Sequence, residues 1–135
     1  MKHAQKSPRT YKAWQWALAF GLIVLLNCCG FPVYNLTKEW PRSITLLYLA
    51  LGLGYGMFAG GILAELLPER HWSVIALLSA LLACGGLGCR FLLEFGEASN
   101  AYNFTLPNVA LHLGAFVCLS VWSWQEAVKR ARRAA

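Results

Sequence analysis

The length of the apolar stretches constrains this chain more than any other feature. The hydrocarbon core of a bilayer is about 30 Å thick, so a helix crossing it needs about 20 consecutive, mostly apolar residues. Four stretches reach that length, at about 13–31, 43–67, 72–95 and 106–124. Proline punctuates them: Pro32 stops the first, while Pro41 and Pro68 bracket the second. Pro107 opens the fourth, in the first turn of a helix where a missing N–H costs nothing. The third ends at Gly96. The breaks between stretches are short, and short connections join antiparallel neighbours. The expected fold is therefore an all-α integral membrane protein, an antiparallel four-transmembrane-helix bundle running up-down-up-down. Only the segment 96–105, GEASNAYNFT, is long enough to have a shape of its own.

Composition agrees with this reading. Hydrophobic residues make up 58% of the 135 and charged residues 13%, against roughly a quarter charged in a soluble domain. The charges collect at the ends and in the breaks. The organisation expected is a basic cytoplasmic N-terminal tail at 1–12, a helical domain at 13–126 and a basic cytoplasmic C-terminal tail at 127–135.

The net charge of +6 raises the question of a nucleic-acid partner, which the placement of the charges argues against. Basic residues flanking apolar spans hold those ends on the cytoplasmic side and meet anionic lipid head groups. With both termini inside, Lys2, Lys6, Arg9, Lys12, Arg70, Lys129, Arg130, Arg132 and Arg133 lie inside. Only Lys38, Arg42 and Arg90 of the 12 basic residues fall toward the outside. An even number of spans satisfies both basic ends at once. Trp14, Trp16, Trp40, Trp72, Trp122 and Trp124 all lie near expected helix ends, as an aromatic belt requires. The location this implies is a cell membrane, of bacterial inner-membrane type. No small-x-small cleavage site follows the first stretch, and Asn27 is a poor residue before a lipidated Cys28, so neither signal cleavage nor lipidation is expected.

Small residues recur at four-residue spacing. Gly52, Gly56 and Gly60 line the second stretch, and Ala76, Ala80, Cys84 and Gly88 line the third. Such stripes let helix backbones approach closely in lipid, where packing replaces the missing hydrophobic drive. The expectation is tight packing of the second helix on the third. A homodimer seam, a contact with a membrane-protein partner or a groove for a lipid or ligand are the alternatives.

Ionisable and amide groups within spans are costly and invite a functional question. Arg90 and Glu94 are four apart in the third stretch and share a face, so the two can pair. Asn108 and His112 are four apart in the fourth, and Asn27 lies near the outer end of the first. Together they place polar groups from three helices at one depth in the outer half. That arrangement is either a structural network or a site for a lipid head group, quinone or small anion. Glu65, Glu69, Arg70 and His71 mark the inner turn, where a carboxylate is ordinarily solvated. No acidic residue sits at mid-membrane, which speaks against a small proton-driven drug pump.

Of the five cysteines, none forms a C-x-x-C pair. Apolar helix cysteines usually behave as small hydrophobes. Adjacent Cys28 and Cys29, ahead of Pro32, could instead hold a soft metal ion. Their C-C-x-x-P run resembles that of bacterial mercuric-ion transport proteins, although no second cysteine pair stands on the inner side. No cofactor is strongly implied. The sequons at Asn35 and Asn103 matter only in a eukaryotic secretory pathway and are read as chance.

Gly60-Gly61, then Gly88-Cys89-Arg90 with Gly96 soon after, resembles the DoxX-like group of small bacterial inner-membrane proteins over roughly 45–120. The resemblance implies a four-helix bundle. Most members lack an assigned activity, and some are small subunits of quinone-linked oxidoreductase complexes. His112 departs from the acidic residue expected in the fourth helix of many of them. Three functional classes follow: a non-catalytic accessory or assembly subunit holding a lipid or quinone, a transporter of a small solute or soft metal ion, and a membrane enzyme acting on a lipid-soluble substrate through Arg90, Glu94 and His112.

Overall fold

A computed structural model describes residues 10–30 and 42–134, excluding the side chains of 42–53, Ser99 and Tyr102. The expectations placed on the N-terminal tail 1–9, on the loop with Pro32, Asn35, Lys38, Trp40 and Pro41, and on the packing of Gly52 lie outside the described residues. What is described is helix and turn, without strands. The elements are α1 (Ala13–Gly30), α2 (Arg42–Leu66), α3 (Trp72–Leu93), the short α4 (Ala98–Asn103) and α5 (Leu106–Ala134). Three of them, α1, α3 and α5, are long and apolar enough to cross a membrane.

Local chemistry sets the boundaries. His71 caps α3, its ring Nδ1 accepting from the Ser73 amide at 3.3 Å and meeting Ser73 Oγ at 2.8 Å. The Glu94 amide closes the far end onto Arg90 and Leu92 carbonyls, and Gly96 then takes a φ of 87°, the left-handed conformation that glycine tolerates best. The last helix runs to Ala134, ten residues beyond its expected end near 124, so most of the expected C-terminal tail is helical. Its Ala-, Lys- and Arg-rich sequence favours helix, and Arg132 and Arg133 in the last turn face the negative end of the helix dipole.

Packing corrects one sequence expectation. Among the described residues, α2 rests on α5 and on α1, while α3 rests on α1 and α5. The stripe of Gly56 and Gly60 therefore serves α5 and not α3. A methyl group on Gly60 would collide with the Ser120 carbonyl and lie 2.7 Å from Ser123 Cβ and 2.9 Å from the Trp124 amide nitrogen. At Gly56 it would lie 2.9 Å from Leu119 Cβ. The other stripe is left largely open: Cys84 and Gly88 are exposed, and a Cβ on Gly88 would meet open space. The close approach of α3 uses Gly86, against Val24, Asn27 and Cys28 of α1.

Helix directions follow from these contacts. Gly56 meets Phe116 and Leu119, Gly60 meets Ser120 to Trp124, and Leu67 meets Trp124, so α2 and α5 run the same way. Trp72 and Ala76 share a groove with Val117 to Gln125, whereas Gly86 sits at the level of Asn27 and His112, so α3 runs opposite to α5.

The interior is small and mixed. Phe116, Ile23, Leu63 and Ile75 are its largest fully buried apolar side chains, and Asn27, Ser79 and Ser120 are buried as completely. The periphery is apolar as well: Leu18, Leu77 and Leu81 are each more than 60% exposed. Water would penalise such a surface, whereas lipid would not. Trp14 and Trp72 are exposed in the first turns of α1 and α3, as an aromatic belt requires, and Trp122 is exposed midway along α5. Trp124 departs from that expectation, turning inward so that its Nε1 donates to the Leu67 carbonyl at 3.1 Å.

Candidate functional site

The polar groups gather near the α1 C-terminus, the α3 C-terminus and the start of α5. Asn27 is 1% exposed and His112 2%. The Asn27 Nδ2 donates to the Ile23 carbonyl one turn back, at 2.9 Å. Its Oδ1 lies 2.8 Å from His112 Nε2. An amide oxygen only accepts, so the imidazole carries a proton on Nε2 and donates it. This bond joins α1 to α5, two helices that otherwise touch little. The His112 ring also stacks at 6.1 Å on Phe116, one turn further along α5.

Gly86 makes the bond possible. It is the α3 residue against which the Asn27 Cβ lies, and a side chain there would push the amide away from the bundle axis. The row of small residues read from Ala76 to Gly88 has a different phase and does not include Gly86. The nearest signal in the sequence was the Gly85-Gly86 doublet beside it.

Arg90 forms an ion pair with Glu94 one turn on. Glu94 is 9% exposed, and its second oxygen accepts from Asn103 Nδ2 at 3.1 Å. Asn103 lies on α4, the helix formed inside GEASNAYNFT. Asn100 on α4 donates weakly to the Phe91 carbonyl, at 3.4 Å, and the Phe104 ring meets Phe91 edge-on at 5.1 Å. Three contacts thus lay α4 over the end of α3. Sequence reasoning did not identify Asn100 and Asn103 as members of this network. Asn108, one turn before His112, is half-buried and engaged in interactions of its own.

Cys28 stands beside this network, within electrostatic reach of Cys89, Arg90 and Glu94. Cys28 is buried and Cys29 exposed. Neighbouring helical residues point about 100° apart, so the two thiols look out of α1 in different directions. Among the described residues, no three His, Cys, Asp or Glu side chains converge as a metal site would require.

Two grooves open elsewhere on the molecule. One, of about 290 Å³, lies between the C-terminal parts of α2 and α5 and is lined in part by Glu65, Glu69 and Arg132. The other, of about 310 Å³, is more apolar and lies between α3 and α5, beside Trp72 and Trp122. Neither is lined by Asn27, Arg90, Glu94, Asn108 or His112. The chemistry this arrangement performs most directly is mutual: Asn27 bonds His112 and joins α1 to α5, while Glu94 bonds Arg90 and Asn103 and joins α3 to α4. No family model, curated protein or solved structure matches the chain.

Proposed function

We propose that this chain is a four-span inner-membrane protein of bacterial type, with both termini in the cytoplasm, that serves as a non-catalytic accessory or assembly subunit of a membrane complex. The observation that carries this reading is the engagement of its polar side chains with one another. Asn27 with His112, and Arg90 with Glu94 and Asn103, form bonds within the bundle at the level where a reaction centre would need them turned to a substrate. In this reading α2 is the fourth span: its 25 residues extend about 37 Å at 1.5 Å each, enough to cross the hydrocarbon core. The opposed directions of α3 and α5 fit alternate crossings. The DoxX-like kinship belongs to the same proposal, and a subunit of that kind has its function through what it binds.

The test is extraction from native membranes in a mild detergent, followed by mass spectrometry of everything that co-purifies. A stoichiometric protein partner is the expected result. Purified chain that by itself turned over a quinone or thiol substrate would overturn the reading. Reporter fusions at both ends check the topology, with cytoplasmic signals expected from each.

A further inference from the structure

The groove between α2 and α5 has a chemistry that nothing in the accessory-subunit reading uses. Above it the two helices are in contact at Gly56 and Gly60. Toward the ends of the two helices a groove opens beside the seam, and Ala64 and Val128, both buried, form its floor. The walls are small: Gly61, Ala127 and Ala131. Two carboxylates, Glu65 and Glu69, stand on the α2 side, and one guanidinium, Arg132, on the α5 side. A side chain at Gly61 would meet open space. The result is a slot of about 290 Å³ with an apolar floor and both signs of charge at its rim.

We propose that this slot holds the head group of an aminophospholipid of the cytoplasmic leaflet, its ammonium between Glu65 and Glu69 and its phosphate at Arg132. The assignment rests on the membrane reading above, which places this end of the bundle at the inner interface. Charge complementarity selects the occupant. The basic last turns of α5 attract any anionic lipid, a long-range effect that does not discriminate among them. Carboxylates inside the slot repel a head group of net negative charge and favour one with a cation beside its phosphate. A primary ammonium also donates hydrogen bonds to both carboxylates, whereas a choline has no N–H to offer. The apolar floor accepts the glycerol and the start of an acyl chain.

The experiment is native mass spectrometry of the full chain, extracted from membranes and titrated separately with phosphatidylethanolamine, phosphatidylcholine and phosphatidylglycerol. Phosphatidylethanolamine is expected to be retained roughly tenfold more than either of the others, the ratio that ~1.4 kcal/mol produces. The double substitution Glu65→Gln with Glu69→Gln is expected to reduce it to the phosphatidylcholine level. Gly61→Leu fills the slot and is expected to lower retention while leaving helicity and melting temperature unchanged. Equal retention of all three lipids, retention led by phosphatidylglycerol, or unaltered retention in Gly61→Leu would overturn the proposal. Failure of the membrane reading shows differently, as chain recovered in the soluble fraction before any lipid is added.

Discussion

The seam between α2 and α5 and the polar clamp at the other end of the bundle hold helices together by opposite means. At the seam, side chains are removed. Gly56 and Gly60 bring backbone against backbone, and α5 then donates into α2 carbonyls: Ser120 Oγ to Gly56 at 3.2 Å, Ser123 Oγ to Met57 at 2.7 Å and Trp124 Nε1 to Leu67. At the clamp, side chains reach out, and the helices stand far enough apart for an amide and an imidazole to fit between them. A seam of backbone contacts is intolerant of added volume but indifferent to charge. A clamp of side-chain bonds tolerates small changes of shape but not the loss of a partner. The two regions should therefore respond to different mutations.

Gly60→Leu should have the largest effect. The atoms its side chain meets are the Ser120 carbonyl, the Trp124 amide nitrogen and Ser123 Cβ, none of which can turn aside, so the helices must separate, at a cost of about 3 kcal/mol or more. Thermal melting in detergent should show a loss of most of the folded fraction. Gly86→Leu should approach it, because it pries α3 from α1 and displaces Asn27. By contrast, Gly88→Leu, two residues away on open surface, should stay within ~0.5 kcal/mol of the parent. If Gly88→Leu proved as damaging as Gly86→Leu, the assignment of the α3 packing face would be wrong.

Effects at the clamp should be smaller. His112→Ala leaves the Asn27 oxygen without its donor in a dry interior. Buried polar bonds between membrane helices contribute about 1 kcal/mol, and the same loss is expected from Asn27→Ala. Asn103→Ala should cost least, about 0.5 kcal/mol, since Glu94 keeps Arg90. Its signature is local: faster amide exchange in 98–103 with little change in melting temperature. Equal exchange in the variant would mean that α4 is held by the Phe91–Phe104 contact and not by the carboxylate.

The sequence made much of this arrangement legible, and physics explains which parts it concealed. Apolar length located α1, α2, α3 and the start of α5 within a few residues, because each apolar run is as long as a bilayer crossing requires, whereas the end of α5 continues in a basic sequence that carries no apolar signal. A spacing of four put Arg90 on Glu94, since that pairing is internal to one helix. The partner of the glycine stripe was not legible. Both α3 and α5 carry small residues, and the choice between them depends on helix rotation, which only the assembled contacts decide. Gly86 was concealed for the same reason, lying out of phase with the more regular row ending at Gly88. The helix α4 was concealed because its six residues have no apolar periodicity, being held by Asn100 and Asn103 instead. Trp124 resembled its interfacial neighbours in sequence, and only the partner at the Leu67 carbonyl distinguishes it.

The central claim is that Asn27 and His112 serve one another across the bundle. A double-mutant cycle between Asn27 and His112, read by reversible unfolding in detergent, tests it most directly. The bond predicts non-additivity: Asn27→Ala should cost about 1 kcal/mol in the parent and about 0.6 kcal/mol less than that once His112 is already alanine. Additive losses would contradict the account, leaving the two side chains as independent groups turned toward something other than each other.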